Sequence, residues 1–300
     1  MDRITKLWDF SYLETWEEDL RKMNVLKVGR PFKFPTLFIL SLALLKVTFR
    51  MTYRDLEAML IGLTYLSGLI KVPDYTTIFR RVEKLVIQIH EKIPREVLEE
   101  IREGKAKVAI DSSGLSVTCR GEWLRYKHKN GKIFCKKGFV KLHIGVDVFR
   151  GTILGVEVTD EKASDNSALP SLTYQSKEIT VIGVEFMDGA YDTYENFREL
   201  EKLGIKPVIK PRKTGIVLSD SFGLVAGRRS TYLYEIKKHG YDYWRRKHNY
   251  GWRWLSEVAF SSYKRRFGES LMSKKFSNMA KEAKLKVMAY NMITDWPRGW

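Results

Sequence analysis

The chain has 300 residues, 44% of them hydrophobic and 13% aromatic, enough to bury a sizeable core and too apolar for a disordered chain. Its charge is lopsided, 53 Lys and Arg against 36 Asp and Glu, a formal +17 at pH 7; that excess favours a polyanionic partner, nucleic acid first, over an anionic membrane surface. Its two cysteines, Cys119 and Cys135, are too few for a disulfide framework and lack zinc-site spacing, so a reduced cytosolic setting fits best. The length suits one large domain or two smaller ones. The polar start of the chain shows no secretory signal, and its longest apolar run, Phe34 to Val47, is too short to span a bilayer.

The first hundred residues read as helices. Trp8, Phe10, Leu13, Trp16 and Leu20 outline a short amphipathic helix. Pro31 and Pro35 precede a helix over about 36–49, with Thr36 as a possible N-cap. Thr52 and Asp55 have the spacing of a cap and its reciprocal acid, ahead of an apolar face of Leu56, Met59, Leu60 and Leu63, and Gly68 ends that helix. Pro73 marks the next boundary, with Asp74 or Thr76 as the cap, Ile78, Val82 and Leu85 turned inward, and Arg80 and Arg81 in the early turns. A helix-turn-helix-like head that meets DNA through Arg80 and Arg81 fits this pattern; so does a plain helical bundle with exposed arginines.

The texture changes after Lys105. Val108-Ala-Ile-Asp111 reads as a buried strand ending in Asp111. Residues 141–148 alternate, with Leu142, Ile144, Val146 and Val148 on one face and Lys141, His143, Gly145 and Asp147 on the other. A turn at Arg150-Gly151 leads to a returning strand over 152–158. A short helix from Ser164 follows, then a strand over 179–187 that runs into Asp188. Asp192, with Glu195 three residues on, reads as a helix cap, and Gly204 ends that helix before a fifth strand at 206–210. Three strands in hairpin order, then helix, strand, helix and strand, make an α/β (α+β) domain with a mixed sheet and helices on its faces.

Residues 210–249 are basic, poorly periodic and rich in Tyr and Arg, among them Arg212, Lys213, Arg228, Arg229, Arg245 and Arg246. Such a segment suits a surface facing a polyanion; the plainer reading is a loose solvated connection. From Trp254 onward the chain reads as a helix, and Arg253, Glu257 and Lys264, four and seven residues apart, fall along roughly one stripe. Alone, that stripe is an ordinary solvated ion pair. A last hydrophobic and basic helix covers about 273–291.

Asp111 and Asp188 stand at the carboxyl ends of expected strands, where ligand sites in α/β sheets gather, and Glu257 adds a third carboxylate from a third element. Hard oxygen ligands without His or Cys favour Mg²⁺ or Mn²⁺. Two such ions, about 3.5–4 Å apart, activate an attacking hydroxyl and stabilise the leaving oxygen of a phosphodiester. Singly each acid is weak evidence. Asp147 and His143 are candidates for supporting or structural places.

Tyr250, Arg253, Glu257 and Lys264 match the Y-(2)-R-(3)-E-(6)-K signature of IS4/IS5-type insertion-sequence transposases. Val108-Ala-Ile-Asp111-Ser-Ser resembles that family's first-Asp strand, Lys141-Leu-His-Ile-Gly-Val-Asp its second strand, and Met187-Asp188-Gly-Ala-Tyr-Asp-Thr its second-Asp motif. Thr52-Tyr-Arg-Asp-Leu-Glu and Val72-Pro-Asp-Tyr-Thr-Thr resemble its helical N-terminal region. The resemblance implies a DDE transposase: a helical DNA-binding or dimerisation region over 1–104 and an RNase H-like catalytic domain over 105–300. Asp111, Asp188 and Glu257 would ligate two Mg²⁺ or Mn²⁺ ions. Tyr250, Arg253 and Lys264 would contact phosphates or displaced bases, and Trp252 would stack on an unpaired base unless it packs in the core. Arg245 and Arg246 would add to the DNA surface. The implied partners are double-stranded DNA, as terminal inverted repeats and target, and a second copy of the chain in a homodimeric synaptic complex. The implied setting is the cytoplasm and nucleoid of a prokaryote. An RNase H-like nuclease without strand transfer uses the same carboxylates, and a DNA-binding regulator descended from a transposase would share the fold.

Overall fold

The 3.6-residue apolar period of the first ninety residues gives way to a period of two after Lys105, and the computed structural model divides accordingly into a helical unit and a sheet unit. It describes residues 14–67, 71–91, 93, 95–117, 124–129, 132–212, 215–217 and 227–294. Trp8, Phe10, Leu13, Gly68, Cys119 and Lys213 lie outside the described residues.

The helical unit takes the chain up to Ile93 and again Tyr263–Asp295. The unit thus regains the end of the chain, whereas the sequence reading placed all of 105–300 in one domain. Its helices are α1 (Trp16–Asn24), α2 (Thr36–Thr48), α3 (Tyr53–Ser67), α4 (Tyr75–Lys84) and α11 (Phe276–Ile293). α2 is apolar nearly all round and is the buried centre, with Ile39 and Ala43 wholly covered. Thr36 opens α2 without capping it, because the extended Pro35 occupies the cap position. At α3 the foreseen reciprocal cap forms: Asp55 accepts from the Thr52 amide at 2.9 Å, and Thr52 Oγ1 from the Asp55 amide at 3.1 Å. Asp74, not Thr76, caps α4, accepting from the Thr77 amide at 2.9 Å.

The sheet unit spans Pro94–Ser116 and Leu124–Ser262. After α5 (Arg95–Arg102) come β1 (Ala106–Val117), a two-stranded ladder of β2 (Leu124–Lys129) and β3 (Lys132–Lys137), then β4 (Phe139–Asp147) and β5 (Ile153–Asp160). Next come α6 (Asp165–Ile179), β6 (Ile182–Met187), α7 (Tyr194–Lys202), β7 (Lys206–Ile209), α8 (Gly227–His239) and α9 (Tyr241–Lys247). α10 (Trp254–Phe267) begins in this unit. The main sheet runs β5–β4–β1–β6–β7. β1, β4 and β5 are antiparallel, and β6 and β7 lie parallel to β1. Tight hairpins can join only antiparallel strands, so β4 and β5 pair through a short turn, while β6 and β7 are each reached through a helix. The result is the mixed sheet with flanking helices that the strand and helix order implies.

α6 sits unusually close to this sheet because two cross-strand partners, Gly145 and Gly155, lack side chains. A Cβ on Gly155 would stand 2.7 Å from the Leu172 carbonyl oxygen, and one on Gly145 3.3 Å from Ser176 Oγ. β4 is therefore covered on both faces, and even His143 and Asp147 are buried.

Candidate active site

β1 is longer than its sequence indicates. It runs on through Ser112–Val117 against β4, so Asp111 stands mid-strand and not at a strand end. Its neighbour on the other side is shorter. β6 pairs Val108 with Glu185 and Ala109 with Phe186, then ends at Met187. Continued two residues further, that register sets Asp111 beside Asp188. The end of the parallel partner, not of β1 itself, opens the space in which both carboxylates project.

Asp188 begins a single 3₁₀ turn, and its Oδ1 accepts from the Ala190 amide at 2.7 Å. Asp111 Oδ1 accepts from the Ser112 amide at 2.9 Å. Burial pushes the Asp111 carboxyl above the usual range and the charge of Asp188 adds to it, against the pull of the Ser112 amide and Arg253.

The third acid arrives with a cation. Asn249, in the left-handed region at φ 52°, turns the chain into a 3₁₀ segment, Tyr250–Arg253, that leads directly into α10. Arg253 reaches back from it to Asp111, Nη1 to Oδ2 at 3.0 Å, and its Nη2 donates to Glu257 one turn on. Its guanidinium lies between the two carboxylates. Ser256, not anticipated from sequence, puts its Oγ 3.3 Å from Asp111 Oδ2 and 2.8 Å from the Arg253 carbonyl oxygen. The only sequence sign of it is its i, i+3 spacing from Arg253.

Among the described residues no group of three His, Cys, Asp or Glu side chains is close enough to hold a metal ion as it stands. The donor set nonetheless fits a hard divalent cation. Asp111 on β1 and Asp188 just past the end of β6 share a site in which the ionised form of Asp111 is disfavoured, and Glu257, half-exposed, is linked to Asp111 through Arg253.

The remaining residues expected in the site divide. Tyr250 is buried in an aromatic cluster, its ring 5.0 Å from Trp244 and 6.5 Å from Tyr241, and burial raises its hydroxyl pKa. It supports the site and presents little of its ring to a ligand. Lys264 follows Glu257 by seven residues on α10, in the part of that helix belonging to the helical unit. Trp252 packs edge-on against Phe149 at 5.1 Å, under the Lys107 ammonium. With Phe149, Trp254, Leu255 and the exposed Arg245 and Arg246 it lines a groove of about 1360 Å³, while Arg253 and Ser256 turn to Asp111 and Glu257 meets Arg253. Trp252, Arg245 and Arg246 are thus not brought to the carboxylates. Arg80 is exposed on α4, whereas Arg81 is engaged within the chain: it donates to the Phe34 carbonyl at 3.0 Å and covers the Phe32 ring.

Three candidates have other work. Asp147 fastens the β4–β5 turn, accepting from the Arg150 amide at 2.8 Å. His143 Nε2 meets Thr159 Oγ1 at 2.8 Å inside the sheet unit, and burial lowers its pKa. Asp192 does not cap α7; Thr193 does, accepting from the Asn196 amide at 3.2 Å. Nor are the described residues of the basic 210–249 stretch a loose connection: most of them fold into α8 and α9, and Arg228, Arg229 and Lys247 pair with Glu201, Asp192 and Glu235.

A family model described as a transposase DDE domain matches residues 102–292, and a second of the same description matches residues 3–120. An uncharacterized protein of Aquifex aeolicus is 26% identical over 259 residues, 83% of this chain and 74% of that protein. Among solved structures, the piggyBac transposase synaptic complex with hairpin DNA aligns over 97% of this chain and 74% of that one, at 10% identity and a TM-score of 0.42. The mariner Mos1 paired-end complex with Mg aligns over 83% and 86%, at 14% identity and a TM-score of 0.25. Likenesses this low carry no argument about chemistry; the family match and the sheet topology do not depend on them. The first model alone spans more than half the chain, including Asp111, Asp188 and Glu257, and the chain belongs to the DDE transposase family.

Proposed function

We propose that this chain is the transposase of an insertion sequence. It would bind the terminal inverted repeats, cut DNA strands at the ends with the help of Mg²⁺ or Mn²⁺, and join the freed 3′-hydroxyls to target DNA. The observation that carries this reading is the meeting of Asp111, Asp188 and the Arg253–Glu257 pair where β6 stops, on a chain of net charge +17.

Asp111, Asp188 and Glu257 would hold the divalent ions. Bound there, such ions supply a lowered pKa for the attacking hydroxyl and charge stabilisation for the leaving oxygen. Arg253 holds Asp111 and Glu257 within reach of one another. Its planar guanidinium would match the two oxygens of a phosphate as well as it matches a carboxylate. Ser256 orients Asp111 through its hydroxyl. Family members act on paired ends, so a homodimer on two DNA ends is the assembly this reading implies.

The experiment is a gel assay with end-labelled DNA taken from immediately outside this reading frame, a supercoiled plasmid target and Mn²⁺. Labelled DNA joined to plasmid supports the reading. Cleavage with no joined product under any ratio of ends to protein would instead mark an RNase H-like nuclease, and metal-independent binding with neither product a regulator.

A further inference from the structure

The acid next to the proposed site with no part in the chemistry is Asp192. Its side chain is fully covered, and the arginine that meets it, Arg229 of α8, is only 10% exposed. The contact is two-pronged: Nε to Oδ1 at 2.6 Å and Nη2 to Oδ2 at 2.9 Å. The Arg212 amide adds a third hydrogen bond to Asp192 at 2.8 Å, and the Tyr194 ring lies 4.4 Å from the Arg229 guanidinium.

The exposed Arg212 side chain lies along the Asp188 turn. Its Nε donates to the Gly189 carbonyl at 3.0 Å and its Nη2 points to that of Ala190 at 3.4 Å. These are the two residues that follow Asp188, and the Ala190 amide is the one that Asp188 Oδ1 accepts. The turn also presses on the exit of β7, where a Cβ on Gly189 would stand 3.3 Å from the Lys210 carbonyl oxygen. The Asp188 turn is therefore fastened at its carbonyls by Arg212 and at its far end by Arg229. A buried ion pair adds little to stability over an apolar pair of equal volume, because desolvation offsets the attraction. What it does supply is one geometry, since a two-pronged guanidinium–carboxylate contact tolerates little rotation.

We infer that Arg229 and Arg212, acting through Asp192 and the Gly189–Ala190 carbonyls, are positioning residues that hold the Asp188 carboxylate at the angle a divalent ion requires. The inference rests on the metal-dependent reading above. The Ala190 amide is the direct partner of the Asp188 carboxylate, and losing a partner bonded directly to a metal ligand changes affinity by roughly 10–100-fold. Arg212, Asp192 and Arg229 act through the turn that carries that amide, which puts their effect at the lower end.

The test is Mn²⁺ binding to the full chain, read as free Mn²⁺ by electron paramagnetic resonance, with strand cleavage beside it. Arg212 is exposed, so Arg212→Ala keeps the fold; Asp192→Asn and Arg229→Lys address the buried pair. Each should weaken Mn²⁺ binding by roughly tenfold, with the circular dichroism spectrum unchanged. In an Asp188→Asn background none of the three should weaken it further. Affinity within twofold of wild type for all three overturns the inference, as does a full tenfold loss that persists in Asp188→Asn. Wild-type protein that takes up no Mn²⁺ overturns the metal-dependent reading and this inference with it, a result distinct from either.

Discussion

Glu185 lies three residues before Asp188 on β6 and provides a quantitative check on the electrostatics of that strand. Its side chain is wholly buried; one carboxylate oxygen accepts from Thr173 Oγ1 at 3.2 Å and the other has no partner among the described residues. Burial pushes its carboxyl up to about 8 from an ordinary 4.5, against the opposing pull of Thr173 and of Lys177. The folded protein therefore keeps a proton that the unfolded chain releases across that window. Stability from this group is greatest at low pH, falls by about 1.4 kcal/mol per pH unit as pH rises through the window, and levels off above the folded pKa. Near pH 7 the accumulated cost is about 3 kcal/mol. Glu185→Gln keeps the shape and the acceptor for Thr173 but has no proton to lose. Urea unfolding of wild type and variant should agree within about 1 kcal/mol near pH 5 and differ by about 3 kcal/mol in favour of Gln near pH 7. For a unit of this size that is a rise in Tm of roughly 5–10 °C. Parallel stability curves at the two pH values would refute the reasoning, because the cost would then not be a protonation cost.

Removing the Arg253 guanidinium by Arg253→Gln leaves Asp111 and Glu257 without the cation between them; Mn²⁺ should then bind the DNA-free protein at least as tightly as wild type while strand cleavage falls by roughly 100-fold, and a loss of Mn²⁺ binding would show that Arg253 only builds the site. Asp74→Ala should cost the helical unit about 1 kcal/mol, the usual loss for an N-cap, measured by urea unfolding. The hydrogen bonds from Thr76 and Thr77 hold the Asp74 carboxyl at about 2, so its contribution is present above the ordinary carboxylate pKa and lost as pH falls towards 2. A variant that stays equally stable near pH 7 would exclude the cap. If Arg245 and Arg246 meet phosphates, Arg245→Ala with Arg246→Ala should lower the slope of log affinity against log salt by about 1.8; an unchanged slope in fluorescence anisotropy would take α9 out of the DNA surface.

The acids of the site were legible in the sequence because each sits in a local pattern: a strand running into Asp111, another into Asp188, a helical stripe carrying Glu257. The five sheet strands and the reciprocal cap of α3 were legible for the same reason. α8 and α9 were not, since their buried faces mix aromatics with ions: Tyr232 and Trp244 are covered alongside Arg229 and Glu235, whose charges are met by partners elsewhere in the chain. A count of apolar positions registers no stripe when cations are buried in pairs. Asp192 misled for a related reason. Its spacing from Glu195 fits a cap, and nothing local signals an arginine 37 residues away. The extent of β1 was hidden by Ser112-Ser113-Gly114, which reads as a turn until β4 supplies a partner for each. The β2–β3 ladder went unread in a segment dominated by Lys and Arg.

Asp111, Asp188 and Glu257 are proposed to act together as the metal-dependent centre of strand cleavage and joining. One strand-transfer reaction comparing wild type with Glu257→Gln, with Mg²⁺ or Mn²⁺ and the DNA ends that flank this reading frame, tests this. Joined product is expected from wild type, none from Glu257→Gln, and equal binding of the DNA ends by both. Joined product from Glu257→Gln at the wild-type rate would contradict that assignment.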